Sequence, residues 1–167
     1  MAATTSGTAK VTLPTDRQVL ITREFDAPRH LVYRAWTTPE LVRRWWSARR
    51  GAVTVADIDL RVGGAWRFVM IADNGMEVGF HGEYRELVPD ERIVTTEIYE
   101  GLPEGVSEEE GGTVNTATLS ERDGRTTYTL LIQATNKTSR DAIIESGMEA
   151  GLQDALDLLE EMAVALA

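Results

Sequence analysis

From Arg17 to Phe25 apolar and polar residues alternate, with Val19, Ile21 and Phe25 on one face, which predicts a β-strand. Asp26-Ala27-Pro28 then reads as a helix start, an acidic cap followed by Pro in the first turn. Leu31, Val32, Ala35 and Trp36 supply the apolar side of that helix. Thr38-Pro39-Glu40 restarts the chain as a second short helix: Thr38 caps, Pro39 takes the first position and Glu40 meets the positive end of the dipole. Leu41, Val42, Trp45 and Trp46 follow on it.

The middle of the chain reads as β. Strands are predicted over Val53 to Leu60, through Trp66-Phe68-Met70, over Val78 to Val88, over Arg92 to Tyr99, and over Thr113 to Glu121 and Thr126 to Ala134. Gly63-Gly64, Pro89-Asp90 and Asp123-Gly124 punctuate them, and Asp73-Asn74-Gly75 suits a hairpin whose central residues take positive φ. The stretch 102–112 is an acidic loop. The last segment is one long helix starting near Ser139, with Thr138 to Asp141 resembling a capping box. Met148, Leu152, Ala155, Leu159, Met162 and Leu166 step by four and three along one side of it, so it must lie on something apolar. The surface on offer is the antiparallel sheet. The fold class is therefore α+β: a curved antiparallel sheet of about six or seven strands around a long C-terminal helix, with two short helices after the first strand. Residues 1–16 are expected as a flexible tail and 17–167 as a single domain.

Composition narrows the chemistry. Hydrophobic residues make up 43% of the 167, enough for a real core. The formal net charge of −10 disfavours nucleic acid and an anionic membrane surface, both of which need clustered Lys and Arg. The absence of Cys excludes disulfides, thiolate catalysis and Cys-ligated zinc, and fits a cytoplasmic location. No apolar run is long enough to span a bilayer, and no signal segment is visible.

Phe25-Asp26-Ala27-Pro28, Trp36 to Leu41, Trp45-Trp46, Asp59 to Gly64 with Trp66-Arg67-Phe68, Asp73-Asn74-Gly75, Gly82-Glu83-Tyr84 and Gly147 to Leu152 occur in this order along nearly the whole chain. As a set they resemble the SRPBCC (START and birch-pollen-allergen-like) superfamily, and within it the group named after the C-terminal domain of the heat-shock-protein-90 ATPase activator. The resemblance implies the helix-grip fold and an internal cavity. It carries no shared catalytic set.

His30 and His81 are too few and too scattered for a metal site, and His81-Gly82-Glu83 lacks the two Cys that a zinc deaminase needs. Gly63-Gly64 is followed by neither Lys nor a helix, so it is a turn and not a phosphate loop. No cofactor and no metal is expected. Aromatic and Met side chains around a space are what a small-molecule pocket is made of. The expected pocket is Trp45, Trp66, Phe68, Met70, Phe80 and Tyr84 from the helices and sheet, with Met148, Gly151, Leu152 and Ala155 from the last helix. Gly147 and Gly151, four apart, suggest either close packing or room for a ligand on that helix. The leading reading is a binding protein for a small, largely apolar ligand. One rival is a cyclase- or hydrolase-type enzyme using His81 or Glu83 as acid or base. Another is a co-chaperone or interaction module, weakened because the chain lacks the activator's additional domain. A homodimer is left open.

Overall fold

The computed structural model describes residues 8–167 and has the expected α+β architecture. In chain order the elements are β1 (Lys10–Thr12), β2 (Gln18–Phe25), α1 (Arg29–Thr37), α2 (Pro39–Trp45), β3 (Gly51–Ile58), β4 (Ala65–Ala72), β5 (Glu77–Val88), β6 (Arg92–Tyr99), α3 (Glu108–Gly111), β7 (Thr113–Arg122), β8 (Arg125–Gln133), α4 (Lys137–Glu145) and α5 (Met148–Leu166). The sheet is antiparallel throughout, in the order β1-β2-β8-β7-β6-β5-β4-β3. It has eight strands, not six or seven, because Lys10–Thr12, expected in the tail, pairs with Leu20–Thr22 of β2. Residues 1–7 of that tail lie outside the described residues.

Register shifts at Val53/Val55 and at Tyr84/Glu86 insert an extra residue into β3 and β5. Such bulges increase local twist and bend a sheet. One face of the sheet is covered by α1, α2 and α5, which also pack on one another. The shared core includes Val19, Ile21 and Phe25 of β2, Val32 and Ala35 of α1, Val42 of α2, and Leu156 and Leu159 of α5, all at 0% exposure. Burying each such side chain contributes about 1.5–3 kcal/mol.

Several local expectations change. The long C-terminal helix is two helices, because Gly147 takes φ +79 between α4 and α5. Gly147 and Gly151 therefore do not share one helix face. The start of α4 is capped by the Asn136 side chain, which accepts from Ser139 N at 2.8 Å, and not by the Thr138 motif. Pro28 occupies the cap position of α1 without a side-chain bond, while Asp26 lies 3.5 Å from Arg125. Thr38 and Pro39 stand where expected on α2, but the Thr38 hydroxyl makes no cap bond. At Asp73-Asn74-Gly75 only Gly75 has positive φ, and Ala72 N donates to Met76 O, so the loop has three residues. Asp123 and Gly124, by contrast, both take positive φ, as a tight two-residue hairpin requires. The acidic loop contains one helical turn, α3, whose Glu110 N donates to Ser107 Oγ.

Candidate functional site

Directly opposed residues of antiparallel strands share a face, so the pairings define what looks towards the helices. Ile93, Thr95 and Glu97 of β6 oppose Ala117, Asn115 and Thr113 of β7. Tyr99 opposes Phe80, and Tyr84 opposes Thr95. Phe68 opposes Phe80 on β4 and Ala56 on β3. Ala117, Phe80, Ile93, Phe68 and Tyr84 belong to the core cluster, which fixes this as the inner, concave face.

That face is covered unevenly. Over β2 and β8 it is sealed by α1, α2 and the C-terminal half of α5, where Leu156, Leu159, Met162 and Ala163 are buried. Trp45 belongs to this sealed half: it meets Trp36 edge-on at 4.5 Å and donates Nε1–H to Ala35 O. Over β5 and β6 the cover is thinner. Ile93, Thr95, Glu97 and Tyr99 all keep partial exposure although β6 is a central strand. Met148 and Leu152, at the N-terminal end of α5, are likewise only half-buried. At Gly151 a Cβ would meet nothing within 4 Å.

Aromatic rings form one wall of this thinner half. Trp46 meets Phe68 at 5.7 Å and Phe80 at 5.9 Å, Trp66 meets Phe68 at 5.0 Å, and Phe80 meets Tyr99 at 5.1 Å. Trp66 lies over Gly82, where a Cβ would run into its Nε1 and into the Thr96 carbonyl, and the indole donates to that carbonyl at 3.2 Å. Tyr84 is buried on the same face, and burial, then the neighbouring Tyr33 hydroxyl, pushes its own hydroxyl well above the ordinary tyrosine value.

Beside these rings, on the same face, lies a polar group. Thr113 Oγ1 donates to Asn115 Oδ1 at 2.9 Å, both residues being buried. That fixes the Asn115 amide orientation and leaves its NH2 for the Glu97 carboxylate. Burial pushes the Glu97 carboxyl up to about 7, against the opposing Asn115 hydrogen bond. The Tyr128 hydroxyl is fully buried with no hydrogen-bond partner. Burial first, and then the nearby Glu97 charge, raise it far above its ordinary value. Its ring stacks on Trp36 at 5.8 Å.

Of the ten residues expected to line a pocket, Trp66, Phe68, Phe80 and Tyr84 come together on the inner face, while Met148, Gly151 and Leu152 stand at the N-terminal end of α5. Ala155 is buried at the border of the two halves, and Met70 is half-buried further along β4. Glu97, Asn115, Tyr128 and Tyr99 were not anticipated. The available signal was the alternation Ile93, Thr95, Glu97, Tyr99, which sets a carboxylate among residues that must face the core.

His81 and Glu83 point to the other, convex face, opposite Ile98 and next to Arg67. There Glu100 accepts from Arg67 Nε and Nη2 at 2.9 and 2.8 Å and contacts His81 Nδ1 at 2.8 Å. Arg67 first, then His81, pulls the Glu100 carboxyl down to about 2. Glu83 is exposed and lies 3.3 Å from Arg85. A cleft of about 440 Å³ opens where α3 meets β6, β7 and the end of β8; Glu97 and Thr113 border it, with Thr96, Ile98 and Gln133. Among the described residues no cluster of His, Asp and Glu has the make-up of a metal site, and no helix is long and apolar enough to cross a membrane.

This α+β scaffold, with its helices gathered on one face of an antiparallel sheet, places the chain in a recognised class. Residues 26–163 match the family described as activator of Hsp90 ATPase homolog 1-like protein, and the chain belongs to it. Among curated proteins none matches the chain. Solved structures do: a Rhodobacter sphaeroides protein is 24% identical with TM-score 0.83, covering 96% of this chain and 100% of its own. A Mycobacterium smegmatis protein is 20% identical with TM-score 0.81, covering 93% and 96%. An Aeromonas hydrophila protein described as AHSA1-like is 21% identical with TM-score 0.66, covering 88% and 93%. At these identities the likeness is one of fold.

Proposed function

We propose that this protein binds a small, largely apolar ligand between the β5–β6 side of the concave face and the N-terminal half of α5. The observation that carries the reading is the contrast along α5. Leu156, Leu159 and Ala163 have 0% exposure, whereas Met148 and Leu152 are half-buried and Gly151 borders open space. A helix that packs fully at one end and loosely at the other, above a wall of aromatic rings, leaves room where a ligand gains apolar contact. Binding fits better than catalysis by the two residues first suspected, since His81 and Glu83 sit on the opposite face.

A neutral, environment-sensitive probe such as N-phenylnaphthylamine tests the reading. Its emission should rise and shift to the blue on titration with the protein, with one site per chain. Gly151→Leu should abolish the response while Gly151→Ala keeps it. No response from the wild-type protein would overturn the proposal.

A further inference from the structure

We propose that the convex face of the sheet, the side opposite the helices, is a contact surface for a second copy of this chain, centred on Leu131 and Thr116.

The strand register defines the patch. Leu20, Leu131, Thr116 and Val94 stand in one row across β2, β8, β7 and β6. The rows on either side of it are Thr22-Thr129-Thr118 and Gln133-Val114-Thr96. Successive side chains of a strand take opposite faces, so with Ile93, Thr95 and Glu97 turned towards the helices these ten look the other way. None of them is charged, although Asp, Glu, Lys and Arg make up 26% of the chain. Leu20, Leu131, Val94 and Val114 take no part in the core, and Val114 is 43% exposed. The threonine hydroxyls already have partners within the sheet: Thr118 and Thr129 bond to each other, and Thr96 Oγ1 accepts from Glu83 N at 3.0 Å. Polar groups satisfied in this way cost little to remove from water. Depletion of charge is what marks the core of a protein–protein interface.

Charge selects the partner. Each copy carries −10, and excess acid lies away from this face, at Glu104 and Glu108 to Glu110 around α3 and at Glu145 and Glu149 where α4 meets α5. Two copies meeting there would set like charge on like, whereas two convex faces would not. Around the patch both signs occur on each side. Lys10 and Glu24 flank it beyond Thr22 and Thr127, and the pairs Arg92–Glu86 at 2.9 Å and Arg85–Glu83 at 3.3 Å flank it beyond β6. A rim carrying both signs can pair with itself across a two-fold axis, which sets a surface against its own copy. Four strands about 4.8 Å apart, with five residues of each at about 3.4 Å, give an uncharged centre on the order of 300 Å². With its rim this approaches the roughly 800 Å² per partner of a stable interface. A cleft of about 440 Å³ borders the patch at Thr96, Val114 and Gln133 and gives a projecting side chain of the second copy a recess. Two convex faces touch at their middles, so the dimer is of the weaker, reversible kind, with Kd of about 1–100 μM.

Sedimentation equilibrium of the full chain from about 1 to 500 μM, a range that brackets that Kd, tests this. The average mass should climb from 18.5 kDa towards twice that value. Thr116→Lys and Leu131→Lys set like charges against each other at the centre of the contact, and each should raise Kd at least about tenfold. Both side chains point away from the core, so melting temperatures should stay close to that of the wild type. Val114→Lys, at the most exposed position of the patch, gives the same reading if either of those variants fails to fold. Val164→Lys, at an exposed position of α5, should leave association unchanged. A mass that stays at 18.5 kDa over the whole range would overturn the assignment to a second copy. So would a dimer indifferent to the three patch variants, or one that Val164→Lys disperses equally well, since the contact would then lie on another face.

Discussion

Glu97 makes stability depend on pH in a window of its own. Its carboxyl is raised from 4.5 to about 7 by burial. Between those values the folded chain holds a proton that the unfolded chain has released, so stability falls as pH rises through the window and levels off above it. The cost of ionising the group in place is on the order of 3 kcal/mol. Glu97→Gln should be more stable than wild type near neutrality and above, with the difference vanishing towards the lower edge of the window; denaturant midpoints across it check this. Glu100 acts with the opposite sign and lower down. Lowered from 4.5 to about 2 by Arg67, it contributes stability that is lost only as pH falls through that range. Gly82 is tested by size instead of charge. Its missing Cβ is what lets the Trp66 indole reach the Thr96 carbonyl. Gly82→Ala should push the Thr96 carbonyl of β6 away from β5, displace that ring with it and cost at least about 1–3 kcal/mol, as overpacking does, visible as a lower melting temperature and a shifted Trp emission. Neither role could be read from the residue alone, because each depends on what a neighbouring strand places opposite it. The alternation of β6 was legible and pointed Glu97 inward. That Asn115 would meet it required the register of β7.

At the scale of elements, α4 and α5 show where periodicity misleads. Apolar residues continue through Ile143, Met148 and Leu152 as though one helix ran on, yet Gly147 takes φ +79 and turns the chain. A pattern of spacings registers which residues are apolar, not a single left-handed residue between two runs. The two glycines four residues apart thus have different work. Gly147→Ala should destabilise by about 1–2 kcal/mol, the cost of a left-handed Cβ-bearing residue. Gly151→Ala, in helical conformation with nothing within 4 Å, should stabilise by up to about 1 kcal/mol through helix propensity. Thermal unfolding of the two ligand-free variants should therefore move the melting temperature in opposite directions. The strands were more legible than the helix ends. β6 runs from Arg92 to Tyr99, as its β-branched residues and the flanking Pro89-Asp90 turn implied. β1 was missed because three residues of alternating character have no signal without the partner strand that β2 provides.

Across the whole molecule, α5 is fastened at one end. Arg23, on the inner face of β2, is 1% exposed and donates from Nη2 to Glu160 Oε1 at 2.9 Å. Its Nη1 stands 2.9 Å from Asp157 without hydrogen-bond alignment, and its guanidinium lies 5.2 Å from the centre of the Phe25 ring. Glu160 also accepts from Asp26 N at 2.8 Å, so one carboxylate ties α5 to β2 and to the entry of α1. Removing one partner leaves a buried guanidinium short of countercharge, which costs about 3–5 kcal/mol when the pair is fully desolvated. Glu160→Ala should approach the lower part of that range, since Glu160 keeps some exposure. The N-terminal half of α5 has lighter tethers, the Gln153 side chain bonded to Ala9 N and O at 3.0 and 2.9 Å and the half-exposed Arg50–Asp154 ion pair at 2.7 Å. The helix is then anchored beyond Ala155 and looser before it, at the end that borders the proposed site. Local opening follows the density of buried apolar contact. Amide exchange should be faster over residues 151–154 than over 159–163, although both stretches are hydrogen-bonded helix, and a ligand spanning Met148 and Leu152 should slow the first stretch selectively. Equal protection of the two stretches in the ligand-free protein would mean that α5 moves as one body, and that the site opens by some route other than its N-terminal half.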